Sequence, residues 1–146
     1  MCKRLGRMFP VAVCACVLAC ASNAHAGDQQ ARIQRLVDDL KAQLSIGQPV
    51  SVALVATNPK LFSVVPAEQD HRTFLLSVEE DFARTLTDDE LRAAVAHELG
   101  HVWIFTHFPY LQTEQLANDI ASRVVSRDSL APLYDKVWRK VGVAGD

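Results

Sequence analysis

The segment His97-Glu98-Leu99-Gly100-His101 constrains the fold of this chain more than any other feature. Residues four apart on an α-helix project from one face, one turn apart, so a helical segment lets His97 and His101 offer ring nitrogens to a single ion. The flanking residues predict that helix. Thr87-Asp88-Asp89-Glu90 has the form of a capping box, in which the threonine oxygen and the glutamate three residues on satisfy free amides at a helix start. Pro109 stops the helix after about Phe108. Leu91, Ala94, Val95, Leu99, Val102 and Trp103 are the residues with which it can bury against a sheet.

Glu98 follows the first histidine, near such an ion but angled away from it, and can therefore hold a water instead of the metal. Hydrolysis needs that separation. Zinc lowers the pKa of a water toward roughly 7, and a neighbouring carboxylate can take the proton as the water attacks a carbonyl. The predicted reaction is cleavage of peptide bonds with one zinc ion, His97 and His101 as ligands and Glu98 as general base.

Two residues compete for the third ligand position. His107 stands six residues after His101, as in the long zincin pattern H-E-x-x-H-x-x-G-x-x-H. That pattern breaks the helix at a glycine where this chain has Ile104, and it comes with a downstream methionine, whereas both methionines here are Met1 and Met8. On a continuous helix His107 also points about 280° away from His97. Glu114 is the expected ligand instead. It opens the next helix after a turn at Pro109, and an antiparallel return brings it beside the histidines. Glu114, Ala117, Asn118 and Ala121 share one face, whose alanines allow close approach.

The stretch from Thr73 to Asp119 resembles the gluzincin metallopeptidases of the CAAX prenyl protease and HtpX type. Leu75-Leu76, the run Leu86-Thr87-Asp88-Asp89-Glu90-Leu91, and Ala93-Ala94-Val95-Ala96 leading into the motif carry the resemblance. It implies a glutamate ligand in E-x-x-A-D on the following helix, which falls on Glu114, Gln115, Leu116, Ala117 and Asn118. The last position departs from the pattern, because the aspartate that supports a ligand histidine in that family is Asn118 here. Its amide oxygen can still accept a proton from the ring, with less support for the metal than a carboxylate gives. The family's additional transition-state donor has no motif; Tyr110, His71 and Tyr134 are available. Many members are integral membrane enzymes, whereas nothing after Ala26 is apolar enough to span a bilayer.

The amino terminus reads as an export leader over residues 1–26. Lys3, Arg4 and Arg7 precede an uncharged apolar stretch from Met8 to Ala21, and Ala24-His25-Ala26 predicts cleavage before Gly27. Val17-Leu18-Ala19-Cys20 offers a second reading, a lipobox that would anchor the protein to a membrane through Cys20. All four cysteines lie in this leader, so residues 27–146 hold no disulfide. Without the three leader cations, 12 Lys and Arg face 17 Asp and Glu, a formal charge of −5 that argues against nucleic-acid binding. The expected partner is a peptide or protein substrate outside the cytoplasm, periplasmic or secreted.

The expected architecture is α+β, in one domain over 27–146. Ile33, Leu36, Val37, Leu40 and Leu44 recur at helical spacing over Asp28 to Ile46. Val50 to Ala56, Leu61 to Val65 and Thr73 to Val78 are rich in β-branched and aromatic residues and predict a small sheet. Two more helices follow the zinc-binding one, over Glu114 to Ser126 and Leu130 to Val141. The rival function is a zincin-like binding or chaperone module of the cell envelope that is weakly active or inactive. Asn118 and the small size favour it, and the intact Glu98 opposes it.

Overall fold

The computed structural model describes residues 15–67 and 72–142, with side chains from residue 27 onward. The leader therefore lies outside the described residues up to 14 and is described only as backbone from there to 26; His71 also lies outside. Helix α1 spans Ala15–Gln43, so it starts well before the Asp28 expected from its apolar spacing. Its buried residues begin later and follow that spacing, with Ile33, Val37, Leu40 and Leu44 in the core.

The architecture is α+β, a three-stranded sheet covered by helices. Strands β1 (Val50–Val55), β2 (Phe62–Pro66) and β3 (Phe74–Glu79) fall within one residue of the predicted bounds. Their order is β1-β3-β2, with β3 parallel to β1 and antiparallel to β2. Alternation decides which face is inner: Val50, Val52, Phe74, Leu76 and Val78 are buried, while Ser51 and Leu75 point outward.

Both outer strands have an unpaired edge, and only that of β1 is filled by helix α1. The Gln34 side chain stands where a neighbouring strand's peptide would, accepting from Val52 N at 2.9 Å and donating to Val50 O at 2.9 Å. Gln30 donates to Val52 O at 2.9 Å. These amides satisfy main-chain groups that would otherwise template pairing with another chain.

The turn into β2 is built on Asn58, buried to 7% exposure. Its amide donates to Ser63 Oγ at 3.0 Å and Ser77 O at 3.1 Å, and its oxygen accepts from Lys60 N at 3.0 Å. These bonds support Leu61 at φ +66°, a left-handed conformation unusual for a branched side chain.

After β3 comes a short helix not expected from the sequence, α2 (Glu80–Arg84), which tucks Phe82 edge-on against Phe62 at 6.2 Å. Helix α3 (Asp88–His107) then crosses the molecule beneath the sheet. Both capping-box bonds are present, Glu90 N to Thr87 Oγ1 at 3.3 Å and Thr87 N to Glu90 Oε2 at 2.8 Å. Leu91, Val95, Leu99, Val102 and Ile104 are almost fully buried, each stabilising the fold by about 1.5–3 kcal/mol if fully removed from water.

A 3₁₀ turn at Pro109–Leu111 leads to α4 (Glu114–Ala121), and α5 (Arg127–Val141) closes the fold. Helix α4 is five residues shorter than predicted and α5 starts three residues earlier. After Ala121 the chain tightens into turns, Arg123 N to Ile120 O and Val124 N to Ala121 O at 3.0 Å each, and Ser126 then caps α5 by accepting from Ser129 N at 3.2 Å. Among the described residues no helix is long and apolar enough to cross a membrane.

Candidate metal centre

The capping box fixes where α3 starts, and from there His97, Glu98 and His101 fall on the helix stretch below β2. Thr113 caps α4 by accepting from Leu116 N at 3.1 Å, which sets Glu114 at the first helical position. Helices α3 and α4 then approach until their backbones touch. A Cβ built on Gly100 would stand 2.5 Å from the Ala117 carbonyl oxygen, so only glycine fits at this crossing.

That approach brings three donors together. His97 Nε2 lies 3.2 Å from His101 Nε2 and 3.1 Å from Glu114 Oε2, and His101 Nε2 lies 3.5 Å from Glu114 Oε1. A tetrahedral ion with metal–nitrogen bonds of about 2.0–2.1 Å spaces its ligand atoms about 3.3 Å apart. The observed separations bracket that value.

Hydrogen bonds on the far side of each ring add a second argument. His97 Nδ1 meets Asn118 Oδ1 at 2.8 Å and His101 Nδ1 meets Gln112 Oε1 at 3.1 Å. An amide oxygen only accepts, so this arrangement assigns the proton to each Nδ1, which in a neutral ring leaves Nε2 with its lone pair. Two imidazole Nε2 atoms and a carboxylate thus converge on one point, and His97, His101 and Glu114 are the residues that could hold a cation there.

Glu98 is turned from this point toward the sheet and is buried. Its carboxyl is pushed up to about 7, chiefly by burial and with Glu114 adding to the rise, against His101, a hydrogen bond from the Val64 backbone amide, and Lys60. Burial likewise lowers His97, against the Asn118 hydrogen bond, which raises it. A cleft of about 280 Å³ opens over these groups, with Phe62, Val64 and Val65 of β2 along one wall and Tyr134 on another.

Asn118 reaches the ring as its helix face predicts. Its oxygen also accepts from Tyr134 Oη at 2.7 Å. Gln112 and Tyr134 are contacts that sequence reasoning missed or left unassigned: Gln112 sits in a turn with no spacing signal, and Tyr134 comes from a helix 37 residues beyond His97. His107 is remote from the centre in role. Helix α3 runs on through it, its ring stacks on Trp103 with centroids 4.0 Å apart, and its Nδ1 bonds Trp103 O at 2.8 Å. Tyr110 is almost wholly exposed on the surface.

Comparison with known proteins gives likeness of fold. No family model matches the chain, and no curated protein matches it. A similar solved structure is the crystal structure of the metallopeptidase zymogen of Pyrococcus abyssi abylysin, 15% identical, with a TM-score of 0.53 over 75% of this chain and 95% of that one. The chain thus shares the fold of that metallopeptidase zymogen, while assignment to the CAAX prenyl protease and HtpX type finds no support in these matches.

Proposed function

We propose that this chain is a zinc-dependent metalloendopeptidase. The observation that carries the reading is the convergence of two imidazole Nε2 atoms and the Glu114 carboxylate beside a buried glutamate that is not part of the triad. The chemistry zinc would supply there is Lewis acidity toward a water and toward a carbonyl oxygen. The fold shared with a metallopeptidase zymogen agrees with it.

In this reading Glu98 takes a proton from the attacking water at its carboxylate and delivers it to the departing amine nitrogen. The Val64 amide, which bonds the same carboxylate, orients it. Strand β2 positions the substrate. Its odd-numbered residues bond to β3, as shown by Glu79 N to Leu61 O at 2.8 Å and Ala67 N to Thr73 O at 2.8 Å, so the main chain of Phe62 and Val64 faces away from the sheet. An extended peptide can pair with the carbonyls there, above the triad, with little demand on its sequence. Pro66 offers no donor and ends that edge. The same proposal takes residues 1–26 as an export leader, with the activity outside the cytoplasm, free or anchored through Cys20.

The test is metal content and hydrolysis of casein or a fluorogenic peptide by protein starting at Gly27, beside Glu98→Gln and Glu114→Ala. The reading expects activity in the parent, loss of activity with zinc retained in Glu98→Gln, and loss of both in Glu114→Ala. A parent that binds no metal sinks it; stoichiometric zinc without cleavage of any peptide favours the binding-module alternative.

A further inference from the structure

Each ligand histidine leans on a side-chain amide, and an amide can present either its oxygen or its nitrogen. The choice decides the site. Facing an amide oxygen, the ring protonates at Nδ1 and leaves Nε2 free to bind a metal; facing the amide NH2, it accepts at Nδ1 and carries its proton on Nε2, where no metal can then bind. A carboxylate has no such ambiguity, since both oxygens accept.

For His101 the choice is settled by the backbone. Gln112 donates its NH2 to the His101 carbonyl at 3.1 Å, which turns its oxygen to Nδ1 of the same residue. Among the described residues no carbonyl accepts from the Asn118 NH2. What Asn118 has is the Tyr134 hydroxyl, 2.7 Å from Oδ1 and 3.3 Å from His97 Nδ1. A phenol donates well and accepts poorly, because its oxygen lone pair is shared with the ring. Turning the amide over would keep a bond to His97, now donated by the NH2 to Nδ1, but would exchange the Tyr134 O–H bond into oxygen for an NH2 facing a weak acceptor.

We infer that Tyr134 is a positioning residue that locks the Asn118 amide oxygen toward His97 and so holds His97 in the metal-binding tautomer. The inference rests on the metal-site reading above. It also explains why an asparagine is tolerated where the resemblance leads one to expect aspartate: the hydroxyl supplies the orientation that a carboxylate would not need. With its proton donated to Asn118 Oδ1, Tyr134 acts on His97 through the amide.

The experiment uses Tyr134→Phe in two backgrounds, the parent and Asn118→Asp, with circular dichroism to check folding. Imidazole nitrogen NMR on metal-free protein at about pH 8 reads the His97 tautomer. The expected result is the Nδ1–H form in the parent and a mixture with the Nε2–H form in Tyr134→Phe. Zinc affinity by chelator competition should fall about tenfold when Tyr134→Phe is made in the parent and change little when it is made in the Asn118→Asp background. An unchanged tautomer in Tyr134→Phe overturns the inference, as does an equal loss of affinity in both backgrounds, which would assign Tyr134 to packing. A parent that binds no zinc defeats the metallopeptidase reading, while the tautomer measurement still decides the lock.

Discussion

Gly100 and Ala117 meet backbone to backbone: a Cβ on Gly100 would lie 2.5 Å from the Ala117 carbonyl oxygen and 3.0 Å from its Cα. This contact sets the spacing of α3 and α4, and therefore the 3.1 Å gap between His97 and Glu114. Replacing a mid-helix glycine with alanine ordinarily stabilises by about 0.5–1 kcal/mol. Here the clash is with backbone that cannot swing aside, and overpacking of about 1–3 kcal/mol wins. Gly100→Ala is expected to lower the melting temperature and weaken zinc binding together. A variant that melts higher than the parent would show that the helices are free to part.

Gln112 supports His101 from an exposed turn, whereas Asn118 supports the more buried His97. Hydrogen bonds to a ligand imidazole commonly contribute 10–100-fold to metal affinity, and solvent competes for the exposed one. Asn118→Ala should therefore cost more zinc affinity than Gln112→Ala, with the latter near the tenfold end. Chelator competition on the two variants decides this, and the reverse order would mean that the Gln112 turn, not α4, holds the site in shape.

What could be read from the sequence divides by distance along the chain. Thr87 with Glu90, His97 with His101, and the shared face of Glu114, Ala117 and Asn118 are local spacings on helices, and the structure realises each of them. Strand positions followed from β-branched runs. Their order did not, because β3 inserts between β1 and β2 through pairings such as Val50 with Phe74, which no local pattern encodes. Helix α2 is five residues long and below what periodicity can detect. The Tyr134 contact to Asn118 depends on how α5 packs on α3 and α4, so it appears only in three dimensions.

Gln34 gives a prediction about the sheet edge. Its amide holds both Val52 N and Val50 O, so Gln34→Leu keeps much of the side-chain volume and leaves a partly buried donor and acceptor unpaired. The expected cost is about 1–3 kcal/mol, and the exposed β1 edge should promote self-association. Denaturant melts and light scattering test the two effects separately. A monomeric variant with unchanged stability would mean that water replaces the amide at no cost.

The Glu90–Lys136 pair links the start of the site helix to the helix that carries Tyr134. Lys136 Nζ lies 2.6 Å from Glu90 Oε2 and 2.9 Å from the Thr85 carbonyl, and the same Glu90 oxygen completes the capping box. The Lys136 hydrogen bond holds the Glu90 carboxyl below its ordinary value of 4.5, with the Thr87 bonds adding to the effect and burial opposing it. A carboxyl lowered on folding binds fewer protons in the folded state than in the unfolded one. Its contribution to stability is thus complete above the unfolded value, about 4.5, and is lost as pH falls through the lower folded value. Removing the cation takes away the largest cause of the lowering and leaves burial opposed only by the Thr87 bonds, so Lys136→Met should be less stable by about 1.5–3 kcal/mol near neutrality, toward the low end because Lys136 is partly open to solvent. The difference from the parent should shrink as pH falls below 4.5 and the carboxyl becomes protonated. Melting temperatures of the two proteins from neutrality down into that range carry the test. A gap that stays constant into acid would place the contribution of Lys136 in the packing of its hydrocarbon stem and not in its charge.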